Sequence, residues 1–142
     1  VGDETGSLQC YAYKKDVLEA HFRTPPIPRG DIGRVQLTEE VRSEGDNARI
    51  FFASGVSVTG ITAKGKEFLR FKTNLTEQIK SMHVVSDEIH TGGEFIYNSF
   101  CNLKDSAFYM ASDRINDLTC ERISGGEKSD AVLACQDRYV RV

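Results

Sequence analysis

The stretch Lys64-Gly65-Lys66-Glu67-Phe68-Leu69-Arg70-Phe71-Lys72-Thr73 is a lysine-bearing turn followed by a short alternating strand that ends in threonine. It recurs twice. Upstream, Lys14-Lys15-Asp16 leads into Val17-Leu18-Glu19-Ala20-His21-Phe22-Arg23-Thr24, and downstream Lys104-Asp105-Ser106 leads into Ala107-Phe108-Tyr109-Met110-Ala111-Ser112. After each copy and a polar link comes an apolar strand that opens on isoleucine. These are Ile32-Gly33-Arg34-Val35-Gln36-Leu37, Ile79-Lys80-Ser81-Met82-His83-Val84 and Ile115-Asn116-Asp117-Leu118-Thr119-Cys120. The closing residues Thr24, Thr73 and Ser112 stand 49 and 39 residues apart, a mean of 44. A strand-rich period of about 40–45 residues is that of one four-stranded propeller blade. Such a unit cannot bury both faces alone, so its neighbours supply the core.

The remainder of each period fits the same plan. Short strands that end in small residues are expected at Ala48 to Gly55, Glu88 to Gly93 and Asp130 to Asp137. Each is followed by a tight turn and a further strand: Val56 to Ala63, Glu94 to Leu103, and Tyr139 onward. The chain opens on the matching piece, Val1-Gly2-Asp3, a turn, then Ser7 to Tyr13. Phe95, Tyr97, Ser99, Cys101 and Leu103 alternate with Ile96, Asn98, Phe100 and Asn102, a period of two that favours strand over helix. The best helical candidate, Leu75 to Val85, has β-branched and small residues on both sides of its apolar positions, which argues against a helix. The expected fold is therefore all-β, a partial WD40-like β-propeller of about three four-stranded antiparallel blades. Blade repeats fall at roughly 1–24, 32–73, 78–112 and 114–142, segments of a single β-propeller domain. Both ends of the chain read as cut within strands, because closure takes four to eight blades. A complete small β-sandwich is the alternative that length and strand spacing also suit.

Eighteen Lys plus Arg against twenty-one Asp plus Glu give a net charge of −3, so no overall basic field draws nucleic acid or anionic lipid. No apolar run approaches the roughly 20 residues that span a bilayer, and no transmembrane segment is expected. The Pro-bearing link Thr24 to Asp31 (Pro25, Pro26, Pro28) and the acidic link Glu39 to Asn47 read as exposed loops. Cys10, Cys101, Cys120 and Cys135 form no C-x-x-C pair, and His21, His83 and His90 form no metal-ligand spacing, so no metal site is expected. Each cysteine sits among strand residues, where a free thiol behaves as a small buried hydrophobe; a reduced intracellular setting follows. His21 and His83 read as half-buried strand residues, whereas His90 lies beside a turn and within reach of a rim. Asp3, Asp16, Asp105 and Asp137 read as turn residues that bond the local backbone. Gly55 to Gly60 has the glycine spacing of a phosphate loop but lacks the Lys-Ser/Thr that must follow. Gly65, Gly92 and Gly93 read as turn glycines with φ > 0. Asn74-Leu75-Thr76 is a formal glycosylation acceptor better explained by turn chemistry. No catalytic, cofactor-binding or metal-binding residue is assigned, and partner-binding residues are unassigned. Phe71 and Ile115 are expected core residues, with Lys15 and Glu40 exposed.

Ile61 to Glu77, with its core Lys64-Gly65-Lys66-Glu67-Phe68, resembles the Bardet-Biedl syndrome 7 family of BBSome subunits. So do Phe95-Ile96-Tyr97-Asn98, Tyr109 to Asp117, and Val132-Leu133-Ala134-Cys135-Gln136-Asp137-Arg138. The order of these motifs is specific as a set, and the likeness extends over nearly the whole chain. Glu39 to Asn47, Val85 to Glu88 and Ser124 to Ser129 depart from the pattern. The resemblance implies an amino-terminal β-propeller with no enzymatic activity and no cofactor. It further implies a scaffold and protein-interaction role in the BBSome, a coat-like adaptor that moves membrane proteins into and out of cilia in connection with intraflagellar transport. The implied partners are other BBSome subunits, especially the Bardet-Biedl syndrome 2 subunit, and ciliary membrane-protein cargo. The implied locations are the cytoplasm, cilium, basal body or centrosome, and the periphery of the ciliary membrane. A propeller that binds a short peptide or small ligand, and a propeller enzyme, are the rival readings.

Overall fold

A computed structural model describes residues 1–27, 30–39, 48–126 and 128–142. Pro28, Glu40 and most of the acidic link lie outside the described residues. The described chain is all-β: β1 Gln9–Lys14, β2 Val17–Arg23, β3 Ile32–Glu39, β4 Ala48–Ser54, β5 Ser57–Thr62, β6 Glu67–Lys72, β7 Ser81–Val85, β8 Glu88–Gly92, β9 Ile96–Cys101, β10 Lys104–Met110, β11 Ile115–Glu121, β12 Asp130–Cys135 and β13 Val140–Arg141. They form four antiparallel sheets in simple sequence order: β1-β2, β3-β4-β5-β6, β7-β8-β9-β10 and β11-β12-β13. Residues 74–80 are irregular and Ser81–Val85 is a strand, so no helix occupies the 75–85 window.

The chain divides into two compact units, Val1–Lys72 and Thr73–Val142. In the first, Leu8, Phe52 and Ile61 form a buried cluster, with Phe22, Ile27, Ile32 and Ile50 packed against it. In the second, Tyr97, Ala111, Ile115, Leu118, Leu133 and Cys135 do the same, with Ala131 beside them. Each cluster joins residues of two sheets, as expected of sheets that cannot bury their faces alone.

The isoleucine that opens each apolar strand has a specific job. The Ile32 N–H donates to the Asp3 carbonyl at 3.2 Å, and the Ile115 N–H donates to the Glu94 carbonyl at 2.8 Å. In both cases the acceptor lies in a turn of the preceding sheet, so one hydrogen bond ties consecutive sheets. Both isoleucines pair with the last residue of the next strand, Ser54 or Cys135, and a bulge then ejects Gly33 or Asn116. An extra residue on one strand of a pair bends and twists it locally. Ile79 differs: β7 begins two residues later, at Ser81. Ile79 is nevertheless 1% exposed, and Lys80 donates to the Gly92 carbonyl at 2.8 Å.

Burial follows strand position within each sheet. The central strands β5 and β9 are buried on both faces, Val58–Ile61 and Tyr97–Phe100 without interruption. The expected alternation along β9 therefore does not separate a wet face from a dry one. The last strands β2, β6 and β10 are largely exposed. Phe71, on β6, is only half-buried, which makes it a weaker core residue than its sequence context suggests.

The turns correct the reading in two places. Lys15 (φ 48°) and Asp16 (φ 64°) form the two-residue β1–β2 turn, but the matching β9–β10 turn is Asn102 (φ 49°) and Leu103 (φ 61°). Lys104, Asp105 and Ser106 are already strand. The left-handed conformation at both central residues is what a tight type I′ hairpin needs. Gly65 does adopt φ 80°, but Gly92 and Gly93 do not lie in the left-handed region. They are glycine because of close approach. A Cβ on Gly92 would overlap Ser81 Oγ and lie 3.1 Å from Leu118 Cδ2, and one on Gly93 would lie 2.5 Å from Glu77 Oε2. Gly92→Ala is expected to destabilise by about 1–3 kcal/mol through overpacking, measured as a lower urea midpoint at unchanged slope.

Candidate functional site

Most of the residues singled out by chemistry are absorbed by turns and by contacts between sheets. Asp3 Oδ1 accepts from the backbone N–H of Thr5 (3.0 Å) and Ser7 (2.9 Å) and from Thr5 Oγ1 (2.6 Å). Asp137 accepts from the Tyr139 N–H (3.1 Å) and forms a two-point ion pair with Arg141 (3.0 and 2.5 Å), whose Nη2 also donates to Ser112 Oγ at 2.9 Å. Asp130 accepts from the Ile123 and Ser124 backbone and the Ser124 hydroxyl. Hydrogen bonds from these partners hold all three carboxyls below the ordinary aspartate range. Being lowered, they support their turns above that range and cease to do so as pH falls through their folded values. Asp16 accepts from Tyr13 Oη at 3.1 Å in its turn.

Asp105 departs from the turn reading. It lies in β10, where both oxygens accept from Asn74 Nδ2 at 3.1 Å and Oδ1 also accepts from the buried Asn98 Nδ2 at 3.2 Å. Asn98 donates in turn to Asn74 Oδ1 at 3.0 Å. This three-residue network pins the irregular stretch after Thr73 to β9 and β10, and it engages the side chain of the formal glycosylation acceptor. Glu77 acts similarly: its Oε2 accepts from the backbone N–H of Phe95 (2.9 Å) and Ile96 (3.2 Å). Nothing in the local sequence marks Glu77, because its partners are backbone groups eighteen and nineteen residues away. Glu77→Ala should leave two turn donors without that acceptor and cost about 1–3 kcal/mol. Chemical denaturation of the variant beside Glu77→Gln, which retains one acceptor oxygen, checks this.

The cysteines and histidines do not converge on a nucleophile. All four thiols are free, with Cys120 and Cys135 buried and Cys10 and Cys101 half-buried. Burial, together with Glu88 and Glu121, pushes Cys120 up to about 12. Desolvation and the adjacent Asp87 carboxylate raise Cys101. Both are held as thiols at neutral pH, the opposite of an activated cysteine. His21 packs its ring against Phe22 at 5.8 Å. His90, expected near a rim, is instead buried at 4% exposure. Its Nδ1 lies 2.9 Å from Tyr97 Oη and its ring is stacked near Tyr97. Among the described residues no group of three or more His, Cys, Asp or Glu side chains could hold a metal ion. The Gly55–Gly60 stretch is a two-residue turn followed by strand β5, so its backbone pairs with neighbouring strands rather than forming a phosphate cradle.

Several exposed apolar residues stand on the outer strands. Val17 (57% exposed) and Leu18 (63%) stand on β2, and Phe108 (62%), Tyr109 (42%) and Met110 (62%) stand in succession on β10. In the second unit a cleft of ≈ 480 Å³ is lined by Tyr97, Tyr109, Ala131 and Leu133, with Asp130 and Arg141 at its polar side. These charges already serve Ser124 and Asp137, so the cleft holds no uncommitted pair of groups for acid–base work.

Comparison with known proteins agrees with this geometry. The mouse protein described as "BBSome complex member BBS7" is 38% identical over 142 residues, covering all of this chain and 19% of its own length. "BBSome complex member bbs-7" of Caenorhabditis elegans is 28% identical over 146 residues, covering all of this chain and 20% of its own. The chain thus spans about one fifth of the curated relatives it matches. Among solved structures, the WD40 domain of Neurospora crassa Pan2 superposes with a TM-score of 0.68 at 12% identity, covering 94% of this chain and 39% of that one. BBS1N, crystallised in complex with ARL6DN, gives 0.72 at 12% identity, covering 96% and 44%. At that identity the likeness concerns fold, and it establishes four antiparallel sheets resembling part of a WD40-like propeller. The family described as "BBS7 beta-propeller" matches residues 1–142, and the chain belongs to the BBS7 β-propeller family.

Proposed function

We propose that this chain is a non-enzymatic propeller platform of a BBSome subunit, serving assembly of an adaptor that carries membrane proteins to and from the cilium. The observation that carries this reading is the family match over the full 142 residues, joined by 38% identity to a BBSome member across the whole chain. The structure is compatible with it: potential reactive groups are committed to turns and to packing between sheets, while exposed apolar residues stand on β2 and β10 and also on β1, β3 and β13. Other BBSome subunits are the expected partners. A finer expectation is pairing with the Bardet-Biedl syndrome 2 subunit and indirect contact with ciliary cargo. The same reading places the protein in the cytoplasm and cilium, at the basal body or centrosome, and peripherally at the ciliary membrane.

The test is co-purification of the full-length tagged protein, and of variants within this chain, with the other BBSome subunits from ciliated cells. Retention of the complex by wild type, and its depletion in proportion to lost folded subunit in core variants, supports the platform role. Wild type that recovers no BBSome subunit overturns it. Lys15→Glu, in the exposed β1–β2 turn, is expected to leave assembly unchanged, because Lys15 shapes a local turn; a loss of assembly without loss of stability would make that turn a contact.

A further inference from the structure

We propose that His90 is an acid-sensitive latch that holds the β11–β13 sheet against the β7–β10 sheet, releasing it when the imidazole takes up a second proton. The inference stands apart from the platform reading and rests on a buried cluster in the second unit. His90 lies on β8, directly opposite His83 on β7 and Ser99 on β9. Its Nδ1 meets the Tyr97 hydroxyl at 2.9 Å. Its Nε2 is buried without a hydrogen-bond partner, and the Glu88 carboxylate stands 3.5 Å away without hydrogen-bond geometry. The neighbouring β11 contributes Cys120, held as a neutral thiol, and Thr119, whose Oγ1 lies 3.5 Å from His83 Nδ1. The groups that face the latch are therefore His83 from β7, Glu88 from β8, Tyr97 from β9 and Cys120 from β11.

The Glu88 carboxylate beside Nε2 favours the neutral tautomer that carries its proton there. Tyr97 donates its hydroxyl proton to Nδ1, and the remaining N–H at Nε2 points towards the Glu88 side. A second proton must go onto Nδ1, which then cannot accept from Tyr97. The bond reverses: Nδ1 now donates to the Tyr97 oxygen, and the Tyr97 proton turns to the Ser99 side chain beside it. The rearrangement falls on a ring that packs with Ala111, Ile115, Leu118, Leu133 and Cys135. The new cation is also drawn towards Glu88, the partly exposed member of the set, and away from Tyr97, the member that reaches into the β11–β12 core. Burial and nearby His83 oppose the charged ring, and Glu88 favours it; burial dominates, so the folded state binds the proton less well than the unfolded state. The contribution of neutral His90 is thus fully present above the ordinary histidine value, about 6.5. It is lost progressively as pH falls below that value, down to the depressed folded value.

Hydrogen exchange of the full chain, read by mass spectrometry as protection factors in peptides from Ile115–Glu121 and Asp130–Cys135, tests the latch. Between pH 7.5 and pH 5.5, protection in these peptides should fall in wild type, because the folded state binds the His90 proton less well than the unfolded state. His90→Gln, which keeps polar atoms but takes up no proton, should flatten this dependence, and His83→Gln should retain it. An equal fall in His90→Gln, or a wild type without any fall, overturns the proposal. As a readout independent of how the variant folds, the wild-type His90 ring is also titrated by NMR. Titration below the ordinary histidine value supports the latch, and titration at or above it overturns the latch whatever the variant does.

Discussion

Ile115→Ala is expected to lower folding stability by about 2–5 kcal/mol, the range for truncating a fully buried isoleucine. The side chain is 3% exposed and packs with Tyr97, Leu118, Leu133 and Cys135. Its backbone is fixed at the same point by the hydrogen bond to Glu94 and by pairing with Cys135. A residue pinned on both sides leaves a cavity that neighbours cannot readily fill, which pushes the loss towards the upper part of that range. Ile32 provides an internal comparison. It holds the equivalent station, with the same type of hydrogen bond and the same bulge after it, but is only half-buried. Ile32→Ala should therefore cost clearly less. Urea unfolding of the two variants decides this, and co-purification should show the Ile115 variant depleted from the assembly through loss of folded subunit. Equal losses would mean that the interlocking hydrogen bond, rather than side-chain burial, dominates at this station.

The repeat was legible because each period reuses the same physical solution. An isoleucine stands at the start of the first strand of a sheet, Ile32 and Ile115, or two residues before it, Ile79, and a threonine or serine follows the exposed last strand. That closing residue is used differently each time. Thr24 Oγ1 accepts from the Leu8 backbone at 2.9 Å, whereas Ser112 Oγ accepts from Arg141 at 2.9 Å. Sequence showed its recurrence and not its partner. Lysine as a turn marker places the β9–β10 turn two residues too late. The chain there turns on Asn102, whose short polar side chain tolerates the left-handed region, and on Leu103. The glycine pair at 92 and 93 looked like turn chemistry, yet each is required by a side chain distant in sequence, Leu118 or Glu77. Local reading has no access to such neighbours. His90 departs from its expected place for a related reason: a nearby Gly-Gly suggests a rim, but β8 is central in its sheet and its side chains are buried. The alternation Glu88-x-His90, facing Tyr97 on the next strand, was the available signal for the polar cluster.

Phe52→Ala should be among the most damaging single truncations in the first unit, at about 3–5 kcal/mol, while Phe68→Ala should cost no more than about 1–2 kcal/mol. Sequence scarcely separates them, since both are strand phenylalanines within one sheet. Phe52 lies on the central strand β4 at 2% exposure, packed with Leu8 and Ile61 and flanked by Phe22, Ile27, Ile32 and Ile50. Phe68 is the bulged residue of the outer strand β6 and is 42% exposed. Its ring covers Gly60, meets Phe51 edge-on at 5.6 Å and carries the Arg49 guanidinium 5.0 Å above it. Those contacts are real but open to water, so their loss is partly offset by hydration. For a chain of this size the Phe52 variant should melt roughly 10 °C or more below wild type, and the Phe68 variant within about 5 °C of it. The comparison bears on function as well. If outer strands meet partners while inner strands hold the fold, Phe52→Ala must lower assembly only as far as it lowers folded protein. A Phe52 variant that remains as stable as wild type would remove the basis for placing the core of this unit on its inner strands.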